Sequence, residues 1–165
     1  MFAGVAEERG LALSLDATGL ALAAGDPVDL RRLLSNLLDN AIRFTRPGGR
    51  VAVKLLDAPA SSGLILTVSD TGTGIAPRDL DHVFDRFFKA DPARSHGGSG
   101  RSGGLGLAIC RSIVESSGGT IGIASRFGEG TTVTVRLPLA LGPASSSTLP
   151  ARFTSALRAA QPAAN

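Results

Sequence analysis

Two asparagines one helical turn apart, Asn36 and Asn40, lie in the run Leu30-Arg-Arg-Leu-Leu-Ser-Asn-Leu-Leu-Asp-Asn-Ala-Ile-Arg-Phe44. At about 100° per residue, Leu30, Leu34, Leu37, Leu38 and Ala41 fall on one side of a helix. Arg32, Asn36, Asn40 and Arg43 fall on the other. The polar stripe has two readings. It is a solvated face, or it is a ligand face: Asn is a poor helix former, a neutral amide oxygen suits Mg2+, and Arg43 could reach a phosphate.

Three further segments carry possible chemistry. An apolar strand, Leu64-Ile-Leu-Thr-Val-Ser, runs into Asp70-Thr-Gly-Thr-Gly74. A carboxylate there either accepts from an exocyclic amine, with Gly72 and Gly74 letting backbone approach a flat ring, or caps its own turn. Gly103-Gly-Leu-Gly-Leu107 opens a second helix, and glycine-rich backbone at a helix start offers free N–H groups to an anion. No Gly-Lys-Ser/Thr follows, so it is not a P-loop. It also reads as a plain helix start after a linker. Phe84, Phe87 and Phe88 cluster within five of the 165 residues, and Gly128-Glu-Gly-Thr-Thr132 reads as a tight turn before a strand.

These segments need elements to hold them. Leu11–Leu15 and residues 20–23 predict a hairpin. Asp26-Pro27 predicts a capped helix over 27–45, ending before Pro47-Gly48-Gly49. Strands are expected at 50–56 and 63–69, a short helix at 79–85, and a glycine-rich mobile loop at 95–104. A second long helix is expected over 105–117, ended by Gly118-Gly119, and strands at 120–125 and 131–138. Helices on one face of a mixed, mostly antiparallel sheet follow: an α+β fold arranged as a two-layer α/β sandwich. The chain divides into a domain at 1–142 and a low-complexity tail at 143–165, rich in Ala, Ser and Pro, read as disordered.

Composition narrows the function. Hydrophobic residues at 43% against 19% charged support a packed core. The net charge of +3 is too mild for a nucleic-acid surface, and no basic tract carries interleaved aromatics. No run reaches the roughly 18 apolar residues of a membrane span, and the start lacks the pattern of a signal peptide. The expectation is a soluble, cytoplasmic chain without membrane contact. Cys110, the one cysteine, excludes an intrachain disulfide and reads as a core thiol.

Taken in order, Asn36-Leu-Leu-Asp-Asn40-Ala, Asp70-Thr-Gly-Thr-Gly74, Phe84-Asp-Arg-Phe-Phe88, Gly104-Leu-Gly-Leu107 and Gly128-Glu-Gly-Thr-Thr132 resemble the N, first glycine, F, second glycine and third glycine boxes of sensor histidine kinases. The resemblance covers roughly residues 10–138. That family shares the GHKL ATPase superfamily, with its Bergerat fold, with DNA gyrase, mismatch-repair and heat-shock chaperone ATPases. The F box is the part most particular to histidine kinases.

The resemblance implies ATP and Mg2+ as cofactors. Asp70 would accept from the adenine amine, helped through water by Thr131 or Thr132. Asn40 would ligate Mg2+, with Asn36 near the phosphates, and Arg43 would contact phosphate; these three form the catalytic set. Phe44 would stack beside the base. Gly104, Gly106 and Leu107 would offer backbone to the phosphates, and Gly103, Leu105, Ile75, Phe84, Arg86 and Phe87 complete the nucleotide-binding candidates. Residues 76–103 would form a lid anchored by Phe84, Phe87 and Phe88. Gly103 departs from the Thr or Ser of many relatives.

The implied activity is that of a histidine protein kinase: transfer of the γ-phosphoryl group to a histidine on a separate dimerisation and phosphoacceptor domain, and indirectly to a response regulator, in two-component signalling. His82 and His96 lack the family's phosphoacceptor context, so the chain is not expected to autophosphorylate alone, and without the family's dimerisation helices it is expected to be a monomer. Three rivals remain. One is a regulatory ATP-binding module without transfer. Another is an anti-sigma-type serine kinase, against which the Phe84–Phe88 run argues. The third is a hydrolase of the gyrase or chaperone kind, which would carry an acid where Asn36 stands.

Overall fold

The computed structural model describes residues 2–18, 23–59, 62–88 and 104–140. The expected mobility of 95–104, most of it beyond those residues, and the tail at 143–165 lie outside them, as does Gly103. The chain begins with a helix that the sequence reading had not assigned, α1 (Phe2–Glu8). Its signal is the Ala and Glu content and the glycine that stops it. Gly10 takes φ +67°, its N–H reaches Glu7 O at 2.9 Å, and Leu11 N–H reaches Ala6 O at 2.8 Å. These are the two bonds of a Schellman ending.

Strand β1 (Ala12–Ala17) follows. It does not form a hairpin with 20–23. It pairs in parallel with β2 (Arg50–Asp57), Leu13 beside Val51 and Leu15 beside Val53, which sets apolar side chains next to one another on the buried face. Of the expected second strand, residues 20–22 lie outside the described residues, and Ala23 makes an isolated bridge to Leu139. Helix α2 (Pro27–Phe44) starts where expected: Asp26 accepts from the Val28 N–H at 2.6 Å, and Pro27 takes the first position.

Strand β3 (Gly63–Asp70) pairs antiparallel with β2. The short helix α3 spans only Pro77–Leu80, earlier and shorter than expected. Beyond it, His82 N–H bonds Asp79 O and Asp85 N–H bonds His82 O. These i to i−3 bonds wind more tightly than an α-helix and place Val83 in a buried position. Helix α4 (Gly106–Ser116) and strands β4 (Thr120–Arg126) and β5 (Gly130–Pro138) complete the fold.

The sheet order is β1-β2-β3-β5-β4, with β1–β2 parallel and every other pair antiparallel. Leu33, Leu37 and Leu38 of α2 and Cys110, Ile113 and Val114 of α4 share one core with Val51, Val53, Leu64, Leu66, Val68, Val133, Val135 and Leu137 of the sheet. Of the alternate strand positions, Lys54 and Arg136 are exposed, while Ile65, Thr67 and Thr134 are half-buried. The two-layer α/β sandwich with helices on one face is what the sequence led us to expect.

Candidate functional site

Asp70 ends β3, and its register partner is Thr131 on β5, whose own partner is Ser125 on β4. All three continue the alternation of the core-facing residues, so one carboxyl and two hydroxyls stand side by side on the helix face of three adjacent strands. Thr132 lies on the opposite face, its hydroxyl 3.0 Å from that of Ser69. Of the two threonines, Thr131 is therefore the one beside Asp70. Burial pushes the Asp70 carboxyl above the ordinary carboxylate range, and the backbone amides of Gly72 and Thr131 pull it part of the way back.

The loop after Asp70 is clamped to the rest of the chain. Gly72 N–H bonds Asp70 Oδ1 at 2.8 Å. Thr73 N–H bonds Phe44 O at 3.1 Å, and Gly128 N–H bonds Thr73 O at 2.8 Å. Ile75 N–H bonds Ser125 Oγ at 2.8 Å. The two glycines answer to protein backbone here: a Cβ on Gly72 would strike the Phe44 carbonyl, and Gly74, at φ +62°, lies against the Arg126 carbonyl. The loop is thus held between the end of α2 and the β4–β5 turn.

The polar face of α2 meets the start of α4. Asn36, Asn40 and Arg43 are half-buried. A Cβ on Gly106 would lie 3.5 Å from Asn40 Nδ2, which places the Asn40 amide beside the first residue of α4. Asn36 Nδ2 is buried and makes no hydrogen bond of ordinary geometry. Below it, the Cys110 thiol donates to Leu33 O at 3.7 Å. Burial pushes that thiol up to about 12, against a smaller opposing pull from the Asn36 amide. No side chain caps α4, whose N-cap is Leu105, and first-turn amides have no acceptor within their own helix. Gly106 and Leu107, both half-buried, therefore offer backbone N–H groups next to Asn40. Among the described residues no group of three His, Cys, Asp or Glu could hold a metal. An Mg2+ ion keeps water and phosphate oxygens and needs few protein ligands, so a lone amide oxygen at Asn40 fits it.

The phenylalanines divide. Phe84 is half-buried with the Arg111 guanidinium 5.9 Å from its ring centre, and Phe88 is half-buried 5.8 Å from the His82 ring. Phe87 is 72% exposed and takes φ +67°, so it is not the buried anchor expected of it. Arg86 is exposed. Phe44 is 53% exposed, with the Arg43 guanidinium 5.5 Å from its ring centre. The sequence reading passed over Ser125; the signal that finds it is the pairing of β4 with β5 across the turn at 127–129, which sets it against Thr131.

Residues 25–141 match the family described as histidine kinase-, DNA gyrase B- and HSP90-like ATPase. The chain is 41% identical over 133 residues to the sensor protein SrrB of Staphylococcus aureus, a match covering 81% of this chain and 22% of that protein. It thus spans about a fifth of the length of the curated relatives it matches. The structure resembles a mycobacterial sensor histidine kinase, MprB, with a TM-score of 0.67 and 30% identity over 82% of this chain and 89% of that one. It also resembles full-length ShkA in complex with AMPPNP, with a TM-score of 0.71 and 28% identity over 87% of this chain and 28% of that one.

Proposed function

The chain belongs to the histidine kinase-, DNA gyrase B- and HSP90-like ATPase family, as a sensor histidine kinase catalytic domain, and on that premise we propose that it binds Mg-ATP and presents the γ-phosphoryl group to a histidine of a separate dimerisation and phosphoacceptor domain. A response regulator would take the phosphoryl group onward. The observation that carries this reading is the half-buried Asp70 carboxylate in a row with Thr131, on the same helix-facing side as the uncapped start of α4 with Asn40 beside it.

Asp70 would accept from the exocyclic amine of adenine. Gly104, Gly106 and Leu107 would bring backbone amides to the phosphates, with Arg43 adding a fixed positive charge. Asn40 would hold Mg2+, which when bound neutralises charge on the phosphate oxygens. The acceptor imidazole attacks Pγ, the bond from Pγ to the β,γ-bridging oxygen breaks, and ADP leaves with the electron pair. Catalysis of this kind rests on positioning and charge stabilisation. Asn36 cannot serve as a base toward water, which suits transfer and disfavours hydrolysis.

The test is two-part. Calorimetric titration with ADP and ATP in the presence of Mg2+ should give micromolar-range binding. Mixing the chain with a separately made dimerisation domain and radiolabelled ATP should then give acid-labile, base-stable phosphate on that domain. Acid-stable label would point to a serine acceptor. Sound nucleotide binding with no label on several such domains would leave a binding module.

A further inference from the structure

Ser125 Oγ stands at the centre of three polar groups. It donates to Gly130 O at 2.8 Å, accepts from Ile75 N–H at 2.8 Å and lies 2.9 Å from Thr131 Oγ1. A serine hydroxyl has one proton and two lone pairs. A carbonyl oxygen cannot donate, so the proton of Ser125 goes to Gly130. One lone pair takes the Ile75 amide. The contact with Thr131 must then be filled by the proton of Thr131. That threonine has no second proton, so its oxygen turns only lone pairs toward the ligand side of the row.

The nearby donors are taken in the same way. Gly72 N–H goes to Asp70, and Thr73 N–H goes to Phe44 O. The Asp70 carboxylate beside Thr131 is itself an acceptor. We infer that Ser125 is a specificity-determining positioning residue of the base pocket: by taking the Thr131 proton, it leaves the row formed by Asp70 and Thr131 with acceptors alone, so that a purine bearing a 6-amino group is accepted and one bearing a 6-oxo group is refused. The inference rests on the reading of this pocket as an adenine-nucleotide site. An oxo group placed there meets lone pairs, and a buried acceptor left without a donor is costly.

The experiment compares ADP with inosine diphosphate, its 6-oxo counterpart, by calorimetry on the full chain. Ser125→Ala frees the Thr131 proton to point outward. The ADP-over-IDP preference should fall about 2- to 10-fold, the range of one neutral hydrogen bond. Ser125→Thr keeps the hydroxyl and should keep the wild-type preference. Loss of ADP and IDP affinity by one common factor in Ser125→Ala would overturn the inference while leaving the nucleotide site in place. A wild-type chain that binds neither would overturn both. Thr131→Val alone keeps the other bonds of Ser125 and decides the matter even if Ser125→Ala does not fold. It should weaken ADP more than IDP, and the reverse order would mean that Thr131 donates outward and the inference is wrong.

Discussion

The backbone N–H of Phe87 donates to the carbonyl of Gly104 at 3.0 Å, so the two ends of the stretch between the F box and α4 are joined directly. Both residues hold positive φ, +67° for Phe87 and +70° for Gly104. A side chain at Gly104 would bring a Cβ within 2.6 Å of Phe88 O and 2.7 Å of the Phe87 carbonyl carbon. Gly104→Ala should therefore strain this junction by roughly 1–3 kcal/mol. The measurable outcome is faster hydrogen exchange at the Phe87 amide together with weaker ADP binding; wild-type exchange at that amide would refute the junction.

Asp70→Asn separates stability from function. Asn keeps an oxygen for the Gly72 N–H but no longer buries a charge, so the melting temperature of the ligand-free chain should be equal to or above that of the wild type, the trade expected where a site is strained for use. ADP affinity should fall about 10- to 150-fold, the worth of a hydrogen bond to a charged group. A variant that both melts lower and binds ADP normally would contradict each half.

The same carboxyl sets a pH dependence with opposite signs for fold and ligand. Burial makes the folded chain hold the Asp70 proton to a higher pH than the unfolded chain does. Its contribution to the ligand-free fold is thus fully present below the ordinary value of 3.8 and is lost as pH rises through the raised folded value. Binding of an amine donor needs the carboxylate, so ADP affinity should decline on acidification at a pH above that ordinary value. Titrations across the acid range, repeated with Asp70→Asn, should show the decline only in the wild type.

Asn40 carries the predicted dependence on metal. Its amide lies beside Gly106 at the uncapped start of α4. The wild type should bind ADP more tightly with Mg2+ than with a chelator present. In Asn40→Ala the two affinities should converge, while binding in chelator changes little. Retention of the full Mg2+ effect by the variant would move the metal ligand elsewhere.

Cys110 should be chemically silent in the native chain. It is 0% exposed, and burial pushes its thiol up to about 12, so little thiolate forms near neutral pH. Alkylation by iodoacetamide should proceed only through unfolding and accelerate with urea as the global stability falls. Rapid labelling in native buffer would show a looser contact between α2 and α4.

Local signals carried much of the fold. Asp26-Pro27, the leucine stripe of α2 and the glycines after α4 each act within a few residues, and each is where the sequence placed it. The parallel pairing of β1 with β2 depends on a partner reached only after α2 has been crossed, and no periodicity in residues 11–15 encodes it. The same holds for the site. Asp70 announces itself at a strand end, whereas Ser125 matters only through a register that sets it against Thr131. Thr131 and Thr132 were separable in principle, because Thr131 continues the alternation Val133, Val135, Leu137 that fills the core. The exposure of Phe87 was not, since a triplet of aromatics gives no hint that one of them sits at positive φ.

The Phe44 carbonyl, which receives the Thr73 N–H, has a consequence for the length of α2. That helix bears Asn40 four positions before the carbonyl that holds the base loop, a separation of about 6 Å along the axis at 1.5 Å per residue. On the proposed reading of the site, the helix is a ruler between the two ends of the nucleotide. One residue inserted between Asn40 and Phe44 would lengthen it by about 1.5 Å and swing the asparagine through about 100° relative to the loop, taking the amide off the face that α4 covers. Insertions elsewhere in the exposed turns leave that measure unchanged, so on this reading the length of α2 between Asn40 and Phe44 sets the span from base to metal.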